Sequence, residues 1–273
     1  MGKSLRVVWL AALLVLAGCV TTGPGGKKSF IVIPVSQELA IGQGMADEVG
    51  KSEKALADPA WRSYLAEVGR KVVGVCDRRD IEYHFTVIES DQVNAFAAPG
   101  GYVYFYTGLL REMDNEAEMA AVMAHEISHV VARHGVKRLQ AALGATLAYQ
   151  LVVGGDNSSA ALKAAVNVGM GLAFAGYSRD AEREADNFGI QYMIKAGYDP
   201  NGAIGMFNKL AALGSASDNV FERLSSSHPE TSERIDNARK EISQVSPMPK
   251  GLSLGKDRYQ LMVKRLPAKS TKK

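Results

Sequence analysis

The spacing of apolar and polar residues along this chain is mostly that of amphipathic helices. Residues 115–140 place a few polar side chains among small and apolar ones, which predicts one helix across the segment. Asp114 is the expected N-cap, and basic residues gather at the other end, where the helix dipole favours positive charge. The pattern also predicts helices from Ser178 to just before Gly197, from Asp199-Pro200 onward, and over 229–242.

At residues 93–106 the helical spacing of apolar residues gives way to the two-residue alternation that is typical of β-strands. Two short runs, 93–97 and 102–106, flank Pro99-Gly100-Gly101 and predict a β-hairpin. In the second run tyrosines alternate with Val103 and Phe105, so that strand has two distinct faces. The first strand can lie in the core, present an edge to an extended peptide, or do both. We therefore expect a mainly helical α+β fold with a small sheet or hairpin beside the long helix.

A His-Glu-x-x-His pattern lies inside the long predicted helix, at His125, Glu126 and His129. Positions i and i+4 share one helical face, so the two imidazoles can bind one metal ion. Glu126 lies one step around the helix, where it can act as the general base that deprotonates a zinc-bound water. Three fixed letters are a weak signal alone, but His and Glu buried in an apolar helix need partners, and a metal supplies them.

Two histidines do not complete such a site, and the residues that follow them do not supply a third ligand. Gly135 stands where metzincins place their third histidine, which excludes that class. His134 is about half a turn out of phase with His125, so we expect it to point away from the metal.

A carboxylate from a second helix would give a site of two histidines and one acid, with one position open. The predicted helix that Ser178 caps offers Glu182 and Asp186 on one face, with Glu184 as a competing candidate. One acid can bind the metal while another fixes the free nitrogen of a ligand histidine. Helical spacing alone does not rank these acids.

These segments resemble the M48 metallopeptidases, the gluzincin family of CAAX prenyl proteases, HtpX-like proteases and periplasmic lipoprotein proteases. The resemblance covers roughly residues 37–242. It implies a zincin-like fold, one Zn²⁺ per chain, Glu182 as the third ligand and Asp186 behind a ligand histidine. The matching segments are 94–101, Asn115-Glu116-Ala117-Glu118, the His-Glu-x-x-His pattern, Ser178-Arg179 with Ala185-Asp186, and His228-Pro229 with Arg234-Ile235.

Further residues are expected around the metal. The first strand of the hairpin is expected to bind substrate through its main chain, at Asn94, Ala95, Phe96 and Ala97. We expect His228 or Arg234 to stabilise the oxyanion, or His228 to occupy the open metal position in a resting state. A purely structural His228, paired with Glu230 or Glu233, is the alternative.

The N-terminus predicts export and lipid anchoring. Basic residues precede an apolar run, and Leu16-Ala17-Gly18-Cys19 is typical of a lipobox whose cysteine becomes lipidated. Val20 follows where an aspartate would retain the protein at the inner membrane, so we expect the outer membrane, facing the periplasm. The predicted divisions are a removed signal peptide (1–18), a flexible tether (19–29), the metallopeptidase domain (30–245) and a basic, proline-containing tail (246–273).

Composition is that of an ordinary globular domain, with 47% hydrophobic and 22% charged residues, which excludes a mainly disordered chain. The net charge of +3 gives no reason to expect nucleic-acid binding. With Cys19 lipidated, Cys76 has no intrachain partner, and we expect a small buried hydrophobe. The tail is expected to be a loose arm that can touch anionic lipid, with a solvated tail as the alternative.

The apolar segment 139–175 is interrupted at 154–159, so neither half reaches the ~20 residues of a membrane span. A helical hairpin packed on the domain is expected, with a lipid-facing or partner-facing patch as the alternative. The expected function is a membrane-anchored zinc endopeptidase that hydrolyses extended or unfolded polypeptides in the bacterial periplasm, for quality control of misfolded or stalled envelope proteins. The alternative is a zinc-stabilised chaperone or assembly factor for outer-membrane proteins that cuts little or not at all.

Overall fold

A computed structural model describes residues 19–21, 28–153, 158–216 and 232–269. Within these ranges ten helices surround a three-stranded sheet and a two-stranded ribbon, which confirms the mainly helical α+β prediction. None of these helices combines the length and the apolar character that a membrane crossing requires. The strands are β1 (Cys19–Thr21), β2 (Lys28–Phe30), β3 (His84–Ile88), β4 (Ala95–Ala98) and β5 (Tyr102–Tyr106). The helices are α1 (Val35–Ser52), α2 (Pro59–Val73), α3 (Thr107–Glu112), α4 (Glu116–Val131), α5 (His134–Val153), α6 (Ser158–Ala173), α7 (Arg179–Lys195), α8 (Asn201–Ala216), α9 (Ser232–Gln244) and α10 (Lys256–Val263).

The predicted hairpin forms from β4 and β5, which pair antiparallel across the turn Pro99–Gly101. Gly100 and Gly101 adopt φ of 78° and 94°, values at which a side chain would be strained. β3 pairs in parallel with the other side of β5, so the order is β3-β5-β4 and β4 forms one edge of the described sheet.

The sheet separates two apolar cores, as the alternation along 102–106 predicts. Val103 and Phe105 are fully buried in the larger core, with α2, α4 and α7. Tyr104 and Tyr106 face the smaller core, which α1, α5 and α6 cover. The predicted hairpin of 139–175 is α5 followed by α6, and α6 packs on α1.

The predicted single helix over 115–140 is wrong, because the chain breaks after α4. Arg133 has φ of 53°, which costs a residue with a side chain roughly 1–2 kcal/mol, and α5 begins at the next residue. The expected cap is off by one position: the Asn115 side chain, not Asp114, accepts from the Glu118 amide, at 3.0 Å.

The break is held by what we call the Glu38 cluster, formed by the buried side chains of Glu38, Arg78 and Arg133. Glu38 accepts from both terminal nitrogens of Arg78, at 2.8 and 2.9 Å. Its Oε2 also lies 2.8 Å from Arg133 Nε, while Arg133 donates to the Ile33 carbonyl at 2.7 Å. The cluster also reaches the hairpin turn, because the Gly100 amide donates to Glu38.

The expectation of a loose C-terminal arm is wrong for residues 246–269. Tyr259 of α10 is fully buried, donates to the Leu110 carbonyl at 2.6 Å, and meets Trp61 edge to face. Arg265 of the same segment binds Asp58 through two nitrogens, at 2.9 and 3.1 Å. Burial of the Tyr259 side chain stabilises the attachment of this segment to the domain.

Two further expectations concern the N-terminal part and the lone thiol. β1 lies in the predicted tether and pairs antiparallel with β2, which extends beyond it to Phe30. Cys76 is a free, buried cysteine, as expected, and burial raises the pKa of its thiol.

Candidate metal centre

Two helices bring the predicted ligands together. The i, i+4 spacing on α4 places His125 and His129 on one face, and Ser178 caps α7, whose facing side carries Glu182 and Asp186. Gly189, one turn beyond Asp186, allows the two helices to approach closely, since a Cβ there would lie 3.2 Å from the His125 amide nitrogen.

The three candidate ligand atoms converge on one point. His125 Nε2 and His129 Nε2 are 3.1 Å apart, and the Glu182 oxygens lie 3.5 and 3.4 Å from them. A tetrahedral Zn²⁺ with bonds of ~2.0–2.2 Å separates its ligand atoms by about 3.3 Å. The three side chains are buried, and within the described chain they form the one group of histidines, cysteines and acids close enough to hold a metal. The donor set therefore fits a zinc ion.

Asp186 takes the position behind His125. Its Oδ1 lies 2.9 Å from His125 Nδ1, and Arg234 donates to both of its oxygens at 2.7 Å. Burial alone would raise the pKa of Asp186, but the charge of Arg234 and the contact with His125 lower it to about 2. These contacts favour the ionised carboxylate beside the His125 ring.

His134 does not point away from the centre, which corrects the expectation from helical phase. The break at Arg133 turns α5 so that His134 Nδ1 lies 2.8 Å from His129 Nδ1. Its Nε2 lies 3.3 Å from Glu184 Oε2, so Glu184 partners His134 instead of competing for the metal. Burial lowers the pKa of both histidines, that of His129 well below its ordinary value.

Tyr177 was also missed by the sequence reasoning. Its ring stacks on His129 with centroids 4.1 Å apart, and the Arg138 guanidinium lies 5.5 Å from the tyrosine ring. Burial raises the pKa of its hydroxyl, and the charge of Glu126 adds to the effect. Its position directly before the Ser178 cap is the only sequence signal that could have drawn attention to it.

Glu126 opens onto a cleft of about 60 Å³ that starts beside His125. Glu126 is itself only 2% exposed, and Asp186 and Arg234 also line the cleft. A carboxylate in such a position can exchange protons with a molecule bound next to the ligand histidines. The remaining walls are apolar and include Val122, Ile190, Met193, Met206, Phe207 and Leu210.

The edge strand β4 begins at this cleft. The Tyr106 amide donates to the Asn94 carbonyl, and hydrogen-bonded pairs alternate along an antiparallel ladder. Ala95 and Ala97 therefore direct their N–H and C=O groups away from β5. Pocket walls on both sides of the histidine pair contain β4 residues, Ala95 near His125 and Ala97 near His129.

The other two predicted substrate residues, Asn94 and Phe96, differ in their position relative to the cleft. Asn94 lines the cleft, and its buried Oδ1 has no hydrogen-bond partner among the described residues. Phe96 lies in the smaller core, stacked on Tyr104, and its main chain pairs with that residue, so the structure does not place it in the cleft. His228 lies outside the described residues.

Comparison with known proteins agrees with this geometry. The sequence model described as peptidase family M48 matches residues 59–242. The beta-barrel assembly-enhancing protease of Yersinia pestis is 31% identical over 232 residues, covering 82% of this chain and 48% of that protein. The metalloprotease YcaL of Escherichia coli (strain K12) is 26% identical over 227 residues, covering 82% of this chain and 87% of that protein.

A third relative is the mitochondrial metalloendopeptidase OMA1 of Schizosaccharomyces pombe, 31% identical over 173 residues that cover 63% of this chain and 50% of that protein. The chain spans about half the length of the beta-barrel assembly-enhancing proteases that it matches. Since the family match covers well over half of the sequence, the chain belongs to peptidase family M48 and is a metallopeptidase.

Proposed function

We propose that this chain is a zinc-dependent endopeptidase of the bacterial envelope that hydrolyses extended or unfolded polypeptides. The observation that carries the proposal is the convergence of His125, His129 and Glu182, whose ligand atoms all lie within 4.8 Å of one another. Two imidazoles and one carboxylate are a donor set that suits Zn²⁺.

Glu126 is the proposed general base. Zn²⁺, when bound, polarises a peptide carbonyl and acidifies water. Glu126 takes the proton from the attacking water and delivers it to the departing amine. Asp186 orients His125, and Arg234 holds Asp186 ionised. Arg234 and His228 are the two proposed donors to the developing oxyanion.

The edge strand is the proposed binding site for the substrate main chain. A peptide that pairs with the outward groups of Ala95 and Ala97 must be extended, which favours unfolded segments over folded proteins. Asn94 supplies a buried acceptor in the cleft that a substrate N–H can satisfy. The apolar walls of the cleft suit an apolar side chain next to the bond that is cut.

The proposed location is the outer membrane, facing the periplasm, with lipidated Cys19 as the anchor. The lipobox sequence before Cys19 supports the anchor, and the names of the beta-barrel assembly-enhancing proteases support the envelope. Misfolded or stalled envelope proteins are the proposed substrates.

An assembly factor that cuts little is the second candidate function. The observation that favours it is the relatives' name, which refers to assembly, together with an edge strand that can hold an extended chain without cleaving it. Both functions use the same surface.

Digestion of an unfolded casein, with zinc content measured in parallel, tests the proposal. Glu126→Gln should keep the metal and lose hydrolysis, whereas Glu182→Ala should lose both. Glu48→Gln, an exposed glutamate of α1 paired with Lys51, is the matched control and should change neither. Full zinc occupancy in Glu182→Ala would refute the ligand assignment. Restoration of envelope integrity in cells by Glu126→Gln would favour the assembly role.

A further inference from the structure

We propose that His134 is a positioning residue for His129: it accepts a hydrogen bond from the ring nitrogen opposite the metal and thereby directs the other nitrogen to the zinc. The inference rests on the zinc site of the proposed function. Its basis is the 2.8 Å distance between the two Nδ1 atoms, both in buried side chains.

Metal binding by His129 determines which ring nitrogens of His129 and His134 carry protons. His129 Nε2 faces the other two ligands, so it must offer its lone pair there, and the ring proton must lie on Nδ1. His134 Nδ1 is then the acceptor, which leaves the proton of His134 on Nε2. That proton is directed to Glu184 Oε2, 3.3 Å away. The sequence Glu184, His134, His129 is therefore a directed hydrogen-bond chain ending at the metal.

The arrangement exists because the helix is broken. In a continuous helix a residue five positions after His129 would lie about 140° around the axis and could not meet it. The positive φ of Arg133 reverses this, and the Glu38 cluster holds Arg133 in place. The chain break is thus what delivers His134 to the metal ligand.

The two ligand histidines are supported differently by the same helix. α7 supplies Asp186 directly to His125, whereas it reaches His129 through an interposed imidazole, from Glu184. Partners of this kind fix the tautomer and ring orientation of a metal ligand, and their loss weakens metal binding roughly 10–100-fold.

Replacing His134 by phenylalanine and by glutamine separates positioning from packing. Phenylalanine keeps the ring volume without an acceptor, and glutamine keeps an acceptor oxygen. Zinc affinity is measured by competition with a chelating dye, and the site is monitored by the absorption spectrum of the Co²⁺-loaded protein. The matched control is His84→Phe, a half-exposed histidine stacked on Tyr102 and absent from the walls of the cleft.

His134→Phe should bind Zn²⁺ about 10–100-fold more weakly and change the Co²⁺ spectrum, while His134→Gln recovers most of the affinity and His84→Phe matches the wild type. Glu184→Leu, which removes the acceptor of the His134 Nε2 proton, should give a smaller loss of the same sign. Affinity of His134→Phe within about twofold of the wild type, with an unchanged spectrum, overturns the inference. So does equal loss in the phenylalanine and glutamine variants.

These outcomes are distinct from failure of the proposed function. A wild-type protein that binds no zinc refutes both. A wild-type protein that binds zinc and digests casein, beside a His134→Phe variant with unaltered affinity, refutes only the role of His134. If His134→Phe does not fold, Glu184→Leu decides: zinc affinity of Glu184→Leu equal to the wild type contradicts the directed chain.

Discussion

Replacing Glu38 by glutamine should destabilise the domain by about 3 kcal/mol. Glu38 is 1% exposed and is the anion shared by two buried guanidinium groups, Arg78 and Arg133. Without its charge, the nearest acid to Arg78 is the exposed Asp80, at 3.8 Å. Removing one partner of a buried ion pair costs ~3–5 kcal/mol, and glutamine keeps one acceptor oxygen, so we expect the lower end.

The chain offers a matched control in a second glutamate bound by both nitrogens of an arginine. Glu67 and Arg258 form this pair at the surface, with side chains 40% and 47% exposed. Exposed pairs are worth ~0–1 kcal/mol, because water screens the charges and two long side chains lose freedom. Glu67→Gln should therefore cost no more than about 1 kcal/mol.

Urea unfolding of the metal-free protein, followed by circular dichroism at neutral pH, measures both changes. Thermal unfolding gives a second measurement. For a domain of this size 1 kcal/mol moves the melting temperature by ~2–4 °C, so Glu38→Gln should melt about 6–12 °C lower. Equal losses in the two variants would show that burial does not set the energy of these pairs. A stable Glu38→Gln protein with normal zinc affinity would also contradict the role assigned to the Glu38 cluster in holding Arg133.

Three further predictions concern the site and the C-terminal segment. Glu126→Gln should lower casein turnover by about 10²–10⁴-fold with zinc content and melting temperature unchanged, and parallel loss of zinc would contradict its role as a base. Gly189→Ala should weaken zinc binding in a dye competition assay, because its Cβ would lie 3.2 Å from the His125 amide nitrogen and push α7 away. Tyr259→Ala should cost ~3–5 kcal/mol and Tyr259→Phe about 1 kcal/mol in urea unfolding, whereas a loose segment would tolerate both.

The sequence predicts a feature correctly where a single helix or hairpin contains all the residues that define it. The i, i+4 spacing of His125 and His129 follows from helix geometry, and the hairpin follows from alternation around Pro99-Gly100-Gly101. Glu182 and Asp186 were placed on the correct face of α7. Which acid contacts which histidine depends on how closely α7 approaches α4. The spacing of residues within one helix does not predict that distance.

The errors have physical causes as well. Helical periodicity predicts the wrong direction for His134 because it assumes an unbroken helix, and an arginine with positive φ carries no local signal. The tail's many basic residues predict a loose, solvated arm. Two of them, Arg258 and Arg265, are paired with acids of α2 and its cap, and the single tyrosine between them is the anchor.

In the edge strand β4, Ala95 and Ala97 both direct their main-chain groups away from β5. Main-chain groups of one orientation recur every second residue, about 6.8 Å along a strand. A polypeptide paired there would alternate its side chains between two faces, so a shift by one residue would exchange the two sets. A tract in which apolar and polar residues alternate would then be held in one of its two frames, whereas a uniform tract would be held in either.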